Sequence, residues 1–123
     1  MICVRQAGAK GRGVFATRSI EKGEVIERAP VVVVPAAERE HLDKTALGNY
    51  YYLWMTETED MAIALGLGSV YNHSYGPNAY YVKHRDELVV EFIAHAPIRE
   101  GDEITINYNG APNDQAPLWF DVV

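Results

Sequence analysis

A single cysteine, Cys3, occurs in the 123 residues. One thiol cannot build an internal disulfide framework, and it cannot complete a Cys-rich zinc cluster within the chain. The histidines offer no substitute, because His41, His73, His84 and His95 show no ligand spacing, so no metal is expected. Long apolar runs are also missing. Val31 to Val34 is only strand-length, far below the roughly 18 residues of a membrane span, and no membrane partner is expected. The start, Met1-Ile2-Cys3-Val4-Arg5, lacks the apolar stretch of a signal peptide, which makes a cytoplasmic location the default expectation. Basic residues are scarce: 11 Lys and Arg against 17 Asp and Glu leave a net charge of −6. Direct nucleic-acid binding, which needs clustered cations, is disfavoured. A cationic partner such as a Lys-rich peptide would suit the balance better.

What is present describes an ordinary globular chain, 48% hydrophobic and 23% charged, sized for one domain over residues 1–123. No linker or repeat divides it. Short β-rich runs separated by Gly and Pro indicate a mainly β fold with short helices. Strands are expected at Ile2 to Val4, Gly13 to Thr17, Tyr80 to Lys83, Leu88 to Ala94 and Ile104 to Tyr108. Pro30 and Pro35 should confine the strand that follows the Lys22-Gly23 turn and runs into Val31 to Val34 to an edge, or break it. Pro35 can open a short helix through Leu42.

One segment is out of place in this pattern. Tyr71-Asn72-His73-Ser74-Tyr75-Gly76-Pro77-Asn78-Ala79 is polar and rich in turn formers, yet it sits between apolar runs. Taken alone, Asn-His-Ser reads as a surface turn. Two further stretches accompany it: the early turn Lys10-Gly11-Arg12-Gly13, and the late run Gly101-Asp102-Glu103-Ile104-Thr105-Ile106-Asn107-Tyr108. Gly11, Gly13 and Ala16 also fit a dinucleotide-binding fingerprint, but that motif needs a helix next. Thr17 to Gly23 is too short and turn-rich to supply it.

In this order and spacing the three stretches resemble the SET-domain family of protein-lysine methyltransferases, with its G-x-G turn, N-H-S-x-x-P-N and G-[ED]-E-[LI]-x-x-x-Y. The resemblance covers about residues 10–108. It implies a SET (β-clip-like) fold of several small sheets with a threaded, knot-like C-terminal segment. It implies methyl transfer from S-adenosylmethionine, leaving S-adenosylhomocysteine, to a lysine of a protein or histone-tail peptide. An inactive SET-fold module holding a lysine peptide or the cofactor is the alternative.

Such a displacement needs alignment more than acid–base groups. The lysine must arrive as a neutral amine despite a free pKa of about 10.4, which a narrow apolar channel favours. On the family pattern Tyr108 is the catalytic tyrosine. Asn72 would meet the methionine part of the cofactor and the His73 backbone its adenine edge, while Lys10, Gly11 and Arg12 would flank its other side. Tyr50 would lie near cofactor and substrate, although Tyr51 and Tyr52 leave that register open, and an aromatic run is often only core. Ser74, Pro77 and Asn78 are expected to shape the turn, and Glu103 to hold the threaded segment.

Cysteine-rich segments flank this domain in most eukaryotic members and close the lysine channel. Without them the chain resembles minimal viral and bacterial members, which would place a viral or secreted version in a host-cell nucleus. In the tail, residues 111–123, Trp119 and Phe120 could supply the missing channel wall or a homodimer contact. Ile106 stands in the channel where relatives often carry Phe or Tyr, and its lack of a hydroxyl points to multiple methylation.

Overall fold

A computed structural model describes residues 1–120 and 122. Among the described residues there are nine strands: β1 (Ile2–Gln6), β2 (Arg12–Ala16), β3 (Val25–Val34), β4 (Tyr52–Leu53), β5 (Met61–Ala64), β6 (Asn72–His73), β7 (Ala79–His84), β8 (Val89–Ala94) and β9 (Glu103–Ile106). The α-helix α1 (Arg39–Asp43) follows a 3-10 turn at Ala36–Glu38, with Pro35 just ahead of it. One sheet has the order β1-β2-β9-β6 and the other β4-β5-β3-β8-β7. The mainly β expectation therefore holds.

Strand β8 shows why these segments fold as they do. Its apolar residues alternate, so Val90, Phe92 and Ala94 turn inward and are buried. Phe92 stacks on Tyr71 with centroids 4.2 Å apart, at the centre of a core that reaches both sheets. The β7–β8 hairpin turns at residues 85–88, where Leu88 takes a positive φ of 55° instead of extending the strand.

Pro30 behaves differently from the expectation. β3 is a continuous ten-residue strand in the interior of its sheet, neither an edge nor broken. The reason is a change of partner. Val25–Pro30 pairs with β8 and Val31–Val34 with β5, so Pro30 falls at the handover, where its missing N–H costs no ladder bond. Its carbonyl still accepts from Leu65 N at 2.8 Å.

The late segment is inserted between two others. β9 runs antiparallel to β2 and parallel to β6, with Asn72 opposite Thr105 and His73 opposite Ile106. A parallel pair needs a long crossover; here residues 74–102 supply it, including the β7–β8 hairpin. The Asn72-to-Asn78 turn then fastens β9: Asn78 Nδ2 donates to Glu103 O at 2.8 Å, while its Oδ1 accepts from Thr105 N at 2.9 Å. Ser74 N donates to Ile106 O at 2.9 Å.

Candidate active site

The early glycine turn leads into β2 rather than a helix, which closes the dinucleotide reading. Gly11 has φ 81°, a conformation that disfavours any side chain. Gly13 is needed for a different reason. A Cβ on it would run into Glu103 Oε2 and lie 2.7 Å from Asn72 Nδ2. The missing side chain thus makes room for a polar junction. Glu103 Oε2 accepts from Asn72 Nδ2 at 2.7 Å, and its Oε1 pairs with Lys10 Nζ at 3.3 Å. Asn72 Nδ2 also donates to Arg12 O at 2.9 Å. All three sequence motifs meet at this one carboxylate.

His73 and Tyr108 meet beside it. Tyr108 N donates to His73 Nδ1 at 3.0 Å, which fixes the ring as the neutral tautomer protonated at Nε2. Burial, and secondarily the Lys10 charge, holds His73 below the usual imidazole range. Its Nε2 is buried and has no hydrogen-bond partner among the described residues. The Tyr108 hydroxyl donates to Tyr71 O at 2.6 Å. Burial pushes that phenol up to about 12, so it stays protonated at neutral pH.

Tyr108 lies where two cavities meet. The smaller, about 230 Å³, is bordered by Lys10, Asn72, His73, Tyr108 and Phe120. The larger, about 810 Å³, is walled by Tyr50, Tyr51, Tyr52, Tyr81, Tyr108 and Trp119 among others. The tail therefore straddles the tyrosine. Trp119 lies parallel to the Tyr108 ring at 6.0 Å, on the side of the larger cavity, and Phe120 closes on the smaller one at 6.1 Å. Asn107 arranges this: buried, it donates to Asp114 O at 2.6 Å and accepts from Asn109 N at 3.0 Å, which turns the chain back. Tyr75 OH and Asn109 Nδ2 then both donate to Ala116 O, at 3.0 and 2.8 Å.

The expected residues sort unevenly. Lys10, Asn72, His73 and Tyr108 converge on the smaller cavity, and Tyr50, Tyr51 and Trp119 on the larger. All three tyrosines of the run reach it, and Tyr52 is additionally fixed by donating to Gly68 O at 2.7 Å. Gly11 and Arg12 line neither cavity; Arg12 is exposed and contributes its carbonyl. Ile106 does not border the larger cavity, contrary to the channel position expected of it. On the inner strand β9 it is packed into the core at 1% exposure.

Sequence reasoning gave no role to Tyr71, Glu27 or Asn107. Tyr71 presents the carbonyl that holds Tyr108, and its own hydroxyl donates to Glu27 Oε1 at 2.7 Å. Glu27 Oε2 accepts from Leu67 N at 2.9 Å, so this half-buried carboxylate pins the segment leading into the motif. Glu27 is followed by Arg28 in the same strand, so the sequence carried no signal that set it apart.

Comparison with known proteins agrees with this geometry. The SET domain family pattern matches residues 11–109. A histone-lysine N-methyltransferase of Schizosaccharomyces pombe, H3 lysine-37 specific, is 34% identical over 96% of this chain and 76% of its own. An H3 lysine-36 specific histone-lysine N-methyltransferase of Saccharomyces cerevisiae is 32% identical over 88% of this chain, which spans only 16% of that protein. Among solved structures, a candidate histone methyltransferase of Plasmodium falciparum superposes with a TM-score of 0.71 and 30% identity, over 90% of this chain and 99% of its own.

Proposed function

Since the chain belongs to the SET-domain family of protein-lysine methyltransferases, we propose that it uses S-adenosylmethionine to methylate a lysine side chain of a protein, histone H3 being the first substrate to test. The observation that carries this is Tyr108, which borders both the smaller cavity, with Lys10, Asn72 and His73, and the larger one walled by tyrosines.

The smaller cavity has groups that fit the cofactor. An amino-acid end needs an anion partner and a cation partner; Lys10 borders the cavity as the cation, with Glu103 paired to it at 3.3 Å outside the lining. Asn72 spends its amide N–H groups on Arg12 and Glu103, which leaves Oδ1 to accept from an ammonium. The orphaned His73 Nε2–H is a donor awaiting an acceptor, and Phe120 offers an aromatic face. When bound, S-adenosylmethionine supplies an electrophilic methyl on a positively charged sulfur.

The remaining work falls to the chain. Tyr50, Tyr51, Tyr52 and Trp119 form a wall that limits water and disfavours an ammonium, so the incoming lysine loses its proton to solvent before attack. Tyr108 stays neutral and is held by Tyr71 O, so it orients the amine and does not act as the base. Alignment of this kind is worth about a hundredfold when lost by a displacement of about 1 Å.

The test is transfer of label from radiolabelled S-adenosylmethionine to histones and cell lysate, beside Tyr108→Phe. Labelled protein with the native chain, and a rate about a hundredfold lower in the variant, is the expected result. Equal rates would remove Tyr108 from its role. Cofactor binding without any transfer would favour an inactive module, and neither binding nor transfer would overturn the reading. Trp119, 65% exposed, is where a homodimer contact would form, and sedimentation as a monomer alone would dismiss that contact.

A further inference from the structure

The larger cavity has an unexpected charge pattern for so acidic a chain. Among the described residues that line it, the only formal charges are Lys83 and Arg85, and no carboxylate joins them. Lys83 stands near the end of β7 and Arg85 just past it, and they reach across to β4 and the residue after it, because the sheet curls until these two edges approach. Tyr52 and Tyr81 touch across the gap, edge to face at 5.2 Å. Lys83 Nζ donates to Leu53 O, and Arg85 Nε donates to Trp54 O at 2.6 Å. These bonds hold both cations at the rim.

Neither is neutralised. Like Arg5, Arg12, Lys22 and Arg39, Lys83 and Arg85 have no carboxylate within ion-pair distance among the described residues, but these two alone of that group line the cavity. An ammonium carries three N–H donors and a guanidinium five. The two carbonyls occupy one on each, leaving the rest without acceptors among the described residues. Burial, and then the Arg85 charge, draws Lys83 below the usual lysine range, as two like charges facing one space require. Leu53, Val82 and Trp119 expose apolar surface around the same mouth.

From this pattern we infer that the protein's substrate carries an anionic side chain within a few residues of the target lysine, received by Lys83 and Arg85. This rests on the methyltransferase reading and specifies its substrate. The net charge of −6 attracts cationic proteins at long range, but local charge at the cavity decides which lysine is accepted. An evenly basic segment meets two unpaired cations here. An acidic one supplies their missing counter-ion, and the hydrogen bonds are charge-assisted.

The test is a set of lysine peptides carrying Glu, phosphoserine, Gln or Arg at each flanking position in turn, assayed by initial rates with the full chain. At one position the anionic peptides should exceed the Gln peptide by about tenfold in kcat/KM, mostly through KM, with the Arg peptide lowest. Preference shared by Glu and phosphoserine identifies an acidic sequence, and preference for phosphoserine alone a phosphorylated one. Arg85→Glu should invert the order so that the Arg peptide leads, a gain that misfolding cannot produce. Lys83→Gln should shrink the anionic preference. Transfer with a flat profile, or an order unchanged in Arg85→Glu, overturns the inference alone. No transfer to any peptide or to a histone mixture overturns it together with the methyltransferase reading.

Discussion

Gly13→Ala tests whether the three sequence motifs are joined through Glu103. The methyl group would collide with Glu103 Oε2, lie 2.7 Å from Asn72 Nδ2 and 3.2 Å from Ala7 Cβ. The carboxylate must retreat, which breaks its 2.7 Å bond with Asn72 and loosens its 3.3 Å pair with Lys10. Overpacking costs about 1–3 kcal/mol, and a lost charge-assisted hydrogen bond about 1.5–3. The part-exposed ion pair adds under about 1 kcal/mol. A glutamate end can swing aside, so little of the overpacking cost remains and the lost bonds dominate, about 2 kcal/mol in all. Glu103→Ala loses the same bonds without the collision and should also cost about 2 kcal/mol. In the double variant the obstruction is gone and the freed Asn72 amide can rotate. It should therefore be scarcely less stable than Glu103→Ala, about 2 kcal/mol better than additivity requires. Thermal melts of the four proteins read this directly, each single variant falling by about 8 °C and the pair by little more. Additivity to within about 0.5 kcal/mol would show that Gly13 and Glu103 do not share space, and the junction would be refuted.

Two further consequences concern the residues around Tyr108. His73 takes up a proton at lower pH in the fold than in the unfolded chain, where it does so near pH 6.5. Stability is therefore complete above that pH and falls as pH drops below it, by at most about 1.4 kcal/mol per unit. Denaturation midpoints at pH 7.5 and 5.5 should separate more in the native protein than in His73→Asn, and equal separations would dismiss this assignment. Asn78→Asp keeps the acceptor for Thr105 N but loses the donor to Glu103 O, at a cost of about 1–3 kcal/mol. Hydrogen exchange at Thr105 should accelerate in Asn78→Ala more than in Asn78→Asp; equal acceleration would mean that Asn78 does not bond that amide.

The site's motifs were legible because they are local. Asn72 to Asn78 carries its turn chemistry within seven residues, and Gly11 and Gly13 announce backbone that cannot carry side chains. Parts of the scaffold were legible for the same reason: alternation in Val89 to Ala94 marks β8, and Pro35 marks the way into α1. The errors came where a residue's meaning depends on a distant partner. Pro30 looked like a strand breaker, and only the handover from β8 to β5 makes it harmless. Ile106 looked like a channel residue by its distance from Tyr108, but the position of β9 between β2 and β6 turns it into the core. Glu27 is unremarkable until Tyr71 and Leu67 arrive from some forty residues away.

Charge is where composition misleads most. A balance of −6 suggests a surface made for basic peptides, and that remains sound for approach through solvent. It says nothing about a cavity formed when a sheet curls. In the sequence, Lys83 and Arg85 are ordinary residues at a hairpin turn, where exposed cations are common. They become the charge of the larger cavity only because β4 and Trp54 after it, some thirty residues earlier, are brought against the end of β7 and offer them carbonyls. Those carbonyls hold the two side chains in place without cancelling their charge, whereas a carboxylate would have done both. The same positive rim also disfavours the ammonium form of an entering lysine, so choosing an acidic neighbour and delivering a neutral amine draw on the same two residues. Loss of both cations should accordingly lower acceptance of acidic peptides and move the rising limb of the kcat/KM–pH profile to higher pH. A selectivity change with an unmoved limb would confine them to recognition.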